Sequence, residues 1–176
     1  MSSDRRVMCS MARREPRAGR HNTVSDSLIL TSLLPPSTNG AYRGSTVAAY
    51  FLTLFSVLTI VPGCIHVLAP DGGAGSIAGL DLSQNGRVII ALFAWAGATQ
   101  IAFGLAMLIV SLRYRTLVPI TLALAIVERT LHALDAWVFR SVPGGHHPPE
   151  HYGVLVVLPL LLAALAVSLR SSPRGK

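Results

Sequence analysis

Charge is what this chain is short of. Asp, Glu, Lys and Arg make up 13% of its 176 residues, about half the share usual in a water-soluble domain. Carboxylates are the scarcer sign, 8 against 15 basic residues. A formal charge of +7 would suit a nucleic-acid partner if it lay on one face. Instead the arginines stand in the N-terminal tail, in one short turn and near the C-terminus, beside apolar runs. That is the distribution of juxtamembrane charge, so no nucleic-acid partner is expected. Cysteine is nearly absent as well. Cys9 and Cys64 have no metal-ligand spacing, and with Cys9 in the tail and Cys64 inside an apolar run no disulfide framework is expected. No glycine-rich nucleotide loop, serine-nucleophile motif or thiol pair occurs. A self-contained enzyme is therefore disfavoured, and no catalytic residue is assigned.

What the chain has instead is apolar length. Residues 1–45 read as a disordered basic tail, with Arg5, Arg6, Arg13, Arg14, Arg17 and Arg20 followed by Pro35-Pro36 and small polar residues. Four apolar runs follow, at about 46–69, 87–112, 117–139 and 153–169, and 171–176 form a short polar end. A spanning helix needs about 17–25 residues, so the first three are comfortable and the fourth is at the short limit. Backbone amides in lipid must bond within their own segment, so the runs are helices. The first run lacks a small-x-small cleavage site and reads as a span, kinked at Pro62-Gly63, rather than a signal peptide. The expected fold is an all-α integral membrane four-helix bundle.

Orientation follows from the arginines. Arg43, Arg113, Arg115, Arg170, Arg174 and Lys176 fall on one side, Arg87 and Arg140 on the other. The positive-inside rule then puts both termini in the cytoplasm, an N-in/C-in arrangement, with the loops 70–86 and 140–152 facing outward. Trp137, Phe139 and Tyr152 mark the outer boundary and Tyr114 the inner one. In the second run Ala94, Ala98, Ala102 and Ala106 recur every fourth residue, flanked by Gly97 and Gly104. Small residues at that spacing let helices approach closely. The stripe is expected to pack inside the bundle; the alternative is a seam for a second copy or another membrane subunit. Gln100, mid-span, is expected to bond a neighbouring helix.

The third run carries the sharpest signal, IVERTLHALDAW at 126–137. At about 100° per residue, Glu128, His132 and Asp135 fall within about 60° of arc, with Arg129 beside them. Each charge at mid-bilayer costs about 2.5–3.5 kcal/mol, so the set should face the bundle interior or water. His66 lies near the same outer end, and the segment RSVPGGHHPPEHYG (140–153) adds His146, His147, Glu150 and His151. Its prolines and glycines favour a shaped turn over a helix. Imidazoles and carboxylates are ligands zinc or copper would accept. Four readings stand side by side: a structural polar network, a metal site, a proton or ion path, and a haem or quinone site. No cofactor is the leading expectation, with a metal ion or haem as alternatives.

RYRTLVP (113–119), the Glu128-Arg129 pair and HHPPEHYGVLVVLPLLL (146–162) together resemble a group of small bacterial four-span inner-membrane proteins without an assigned activity. The resemblance covers roughly residues 46–170. It implies an inner-membrane location and a tight basic turn before the third helix. It also implies an acidic residue within that helix and a Pro-Pro then Gly approach to the fourth. It transfers no catalytic residue.

Overall fold

The computed structural model describes residues 33–141 and 147–170. The basic tail before 33, His146 and residues 171–176 lie outside the described residues. The body from Ser37 onward is one compact unit. It is an all-α bundle of four helices: α1 (Thr46–Leu68), α2 (Gly86–Arg113), α3 (Val118–Leu134) and α4 (Pro149–Ser168). A π-helical turn, Asp135–Phe139, extends α3. With the turns at its ends, each helix is long and apolar enough to cross a membrane. The outer surface is correspondingly oily, with Leu54, Leu58, Trp95, Leu124 and Val156 exposed. Such a surface suits lipid, not water.

Contacts group the helices as two hairpins. α1 packs chiefly on α2, α3 on α4, and the hairpins join mainly where α4 meets α1; α2 and α3 barely touch. Glycine sets the tightest seam. A Cβ placed on Gly97 of α2 would stand 2.6 Å from the His66 Cβ and 2.7 Å from the Gly63 carbonyl oxygen of α1. Only hydrogen fits there, so the backbones meet where no hydrophobic drive between helices exists to hold them. Thr53 adds a polar clip, donating to the Ser111 hydroxyl across the same seam at 2.9 Å. Ala98, Ala102 and Ala106 are exposed, and Ala94 is half-buried. The internal-packing expectation for that stripe therefore fails. The buried face of α2 is Gly97, Gly104, Met107 and Ser111, rotated away from it.

The end of the bundle near Arg113 is solidly filled. Leu52, Met107, Leu122 and Leu161 are fully buried there, with Ala48, Val118 and Ala125 between them. Residues 37–45, which composition groups with the tail, cover this end. Thr38 donates its backbone N–H to the Arg113 carbonyl at 3.0 Å. The Asn39 amide donates to the Leu112 carbonyl at 2.7 Å. These are the carbonyls the last turn of α2 leaves without helical partners. Ser45 then starts α1, its hydroxyl accepting from the Val47 N–H.

At the other end the loop from α1 to α2 folds back over the hairpin. The Asp71 carboxylate accepts the backbone N–H of Gly73 at 2.9 Å and of Ser76 at 2.7 Å. Those bonds, Ser76 foremost, bring its pKa down to about 2. Gly72 and Gly73 take φ of 61° and 74°, a left-handed turn that residues with a Cβ avoid. Ala74 and Ala78, within this loop, are buried. α4 begins at Pro149, four residues before the expected 153, so Glu150 and His151 stand on its first turn and not in a loop. Proline has no N–H to lose at a helix start and already holds a helical φ, which is why the Pro148-Pro149 pair opens the helix here.

Candidate functional site

The hairpins diverge in the half nearer His66, and a cleft of about 420 Å³ lies between them. All four helices and the 71–79 loop contribute to its wall. Most of that wall is apolar: Phe55, Leu58 and Pro62 from α1, Phe93 from α2, Val154 and Val157 from α4. Polar groups are few and come from different elements, namely Thr59, His66, Gln100, Arg129, Glu150 and His151. Volume and lining match the usual small-molecule pocket, an apolar body with a handful of orienting groups.

Arg129 is the pivot of α3. Its side chain is 12% exposed, against 43% for Glu128. Its Nε lies 2.9 Å from a Glu128 carboxylate oxygen, and an outer nitrogen lies 3.6 Å from Glu150 on α4. The Glu128 contact is electrostatic only. Neighbouring residues cannot align the pair, and both atoms are buried without a hydrogen-bond partner. The guanidinium also sits 5.7 Å from the centroid of the Phe55 ring, a cation–π contact with α1. One cation thus ties three helices together at the cleft, compensated by two carboxylates.

The expected stripe of Glu128, His132 and Asp135 is divided. Glu128 joins Arg129. His132 is half-buried and faces the His151 ring, centroids 6.2 Å apart. Asp135 is at the rim, where it pairs with Arg140. His147 and His151 bring their Nδ1 atoms within 3.1 Å, so one proton is shared between the two rings. That separation is close to the about 3.3 Å between two imidazole nitrogens bound tetrahedrally to one zinc ion. Among the described residues, however, no three His, Cys, Asp or Glu side chains assemble into a metal-holding group. His66 is engaged elsewhere. Its Nδ1 donates to the Gly72 carbonyl at 2.7 Å, and its ring meets Phe93 edge-on. A carbonyl only accepts, so the neutral ring carries its proton on Nδ1 and leaves Nε2 as an acceptor. The buried Oε1 of Gln100 has no hydrogen-bond partner, contrary to the expected helix–helix bond.

Trp137 holds this end in place. Its indole N–H donates to the His151 carbonyl at 3.0 Å, and its ring stacks on His147 at 4.5 Å. The π turn it occupies adds one residue to the helical repeat, and such turns recur at functional sites. Sequence reasoning placed Trp137 at the membrane boundary but did not connect it to α4. Phe55 and Phe93 were missed, because aromatic residues inside apolar runs carry no distinguishing signal. Comparisons of the chain with protein-family models, with curated proteins and with solved structures each found no match.

Proposed function

We propose that this protein is a multi-pass component of a bacterial inner membrane. Both termini and the RYRT turn face the cytoplasm, and its outer-half cleft holds an apolar, membrane-soluble small molecule. It acts as a binding or accessory subunit, not as a self-contained enzyme. The cleft carries the reading: a pocket of ordinary ligand size, apolar in its walls, opening between hairpins whose outer faces suit lipid. The basic end supports the orientation. Thr38 bonds Arg113, which places the chain entering α1 and the turn leaving α2 at one end of the bundle.

Two measurements test these statements separately. Cysteines at positions 75 and 114, introduced after Cys9 and Cys64 are replaced, are expected to label from opposite sides of intact cells, 75 from outside. Equal labelling of both by an impermeant reagent contradicts the orientation. For the cleft, Val157→Trp fills the space between α4 and α1. Protein in lipid nanodiscs should retain decylbenzene saturably above empty discs, and Val157→Trp should abolish that excess. If the native protein shows no saturable excess, the cleft is not a binding site.

A further inference from the structure

We infer that the cleft selects an uncharged ring bearing hydroxyl groups, of the hydroquinone type, with Gln100 as the residue that accepts from a hydroxyl. The inference rests on the cleft reading above and adds the chemistry of the occupant.

Gln100 lies 14 residues into α2, about 21 Å from its start at 1.5 Å per residue, which is mid-bilayer. A carboxamide there is costly unless it is bonded, because neither lipid nor an apolar wall supplies a partner. Its Oε1 is nevertheless buried and unpartnered, and the side chain lines the cleft. An occupant that donates a hydrogen bond to that oxygen, once the terminal amide turns it toward the cleft, removes the penalty. A hydrocarbon tail cannot, whereas a phenolic hydroxyl can. On the same wall His66 offers Nε2 as an acceptor, since Nδ1 is committed to Gly72.

Charge narrows the choice further. Arg129 is the cation at the cleft, and Glu128 and Glu150 already surround it, so the trio carries one excess negative charge. An anionic headgroup would meet repulsion rather than a vacant cation. A quaternary ammonium has no N–H to donate to Gln100 or His66. Its attraction to the trio is screened, because the carboxylates are 43% and 42% exposed. The aromatic faces that would hold it are engaged, Phe55 by the Arg129 guanidinium and Phe93 by the His66 ring. A neutral molecule with an apolar body and hydroxyl groups to donate is what remains. A volume of about 420 Å³ holds one substituted ring and the start of a tail.

The test uses full-length protein in nanodiscs and three probes with the same chain: decylhydroquinone under anaerobic conditions, decylbenzene, and decyltrimethylammonium. The native protein is expected to bind the hydroquinone about tenfold more tightly than decylbenzene, the worth of one or two hydrogen bonds in an apolar site. Gln100→Met keeps the side chain's length and should erase that preference by weakening hydroquinone binding, while decylbenzene binding holds or tightens against the more apolar wall. The same substitution should raise the thermal midpoint of the ligand-free protein, because a buried unpartnered amide has been removed. Gln100→Leu provides a second variant with the same expected pattern. The inference is overturned if decylbenzene and decylhydroquinone bind equally, if the ammonium binds best, or if both Gln100 variants keep the hydroquinone preference. Absence of saturable binding by all three probes defeats the cleft reading itself.

Discussion

Arg129→Met lowers the unfolding midpoint of the detergent-solubilised protein, and adding Glu128→Gln with Glu150→Gln restores most of the loss. The reason is asymmetry. Removing one member of a buried ion pair strands the charges left behind, and that is where most of the cost arises. Full burial would imply about 3–5 kcal/mol. Here the carboxylate side chains are 43% and 42% exposed, so solvent screens them and about 1–3 kcal/mol is expected. Arg129→Lys should lose less, because an ammonium keeps the charge but not the planar contact with Phe55. Denaturant titration followed by circular dichroism measures all three. An Arg129→Met midpoint equal to that of the native protein would mean that the trio contributes nothing to joining the helices.

The second large effect lies at the glycine seam. Gly97→Ala introduces a Cβ against the His66 Cβ and the Gly63 carbonyl oxygen, neither of which is the end of a flexible side chain. Overpacking of this kind costs about 1–3 kcal/mol, while exchanging glycine for alanine within a helix returns up to about 1 kcal/mol. The rigid contacts decide the sign, and a net loss is expected. At Gly104 the nearest obstacle is the Ile60 Cγ1, at 2.5 Å, on a β-branched side chain held to one rotamer in a helix, but the nearest backbone oxygen, that of Ser56, lies at 3.1 Å against 2.7 Å at Gly97. Gly104→Ala should therefore also destabilise, by less than Gly97→Ala. Ala102→Leu, on the exposed face, should change stability by no more than about 0.5 kcal/mol. Unfolding midpoints of the three variants in one detergent establish the order. A neutral or stabilising Gly97→Ala would show that α1 and α2 can separate freely.

The same residues explain how far the site could be read in advance. The charged pattern pointed to Glu128, His132 and Asp135 as one stripe. A different periodicity was also present: Val118, Leu122 and Ala125 are buried, and the next steps of three and four reach Arg129, His132 and Ala136. Extending that stripe selects Arg129 and His132 for the interior and leaves Glu128 one position off the face. In α2 the alanine stripe was the more regular pattern, yet the glycines are buried. Regular spacing of small residues does not choose a face, whereas a site without any side chain does, because only there can two backbones touch.

Number, length and type of the spans follow directly from the amino-acid chain. Backbone hydrogen bonding in an apolar medium leaves only helices, and the runs are long enough to cross. The basic turn between the second and third spans is equally legible, since charge there sits between two long apolar runs. Facing is another matter. A helix that is apolar on every side has no polar flank to turn outward, so its pattern carries little information about its neighbours. Which faces meet was settled by shape and by pairing across the bundle: the Gly63–Gly97 contact and the reach of Arg129 to Glu150. The cleft exists because the buried cluster of Leu52, Met107, Leu122 and Leu161 joins the hairpins at one end, while at the other they part. No stretch of residues taken alone encodes that divergence.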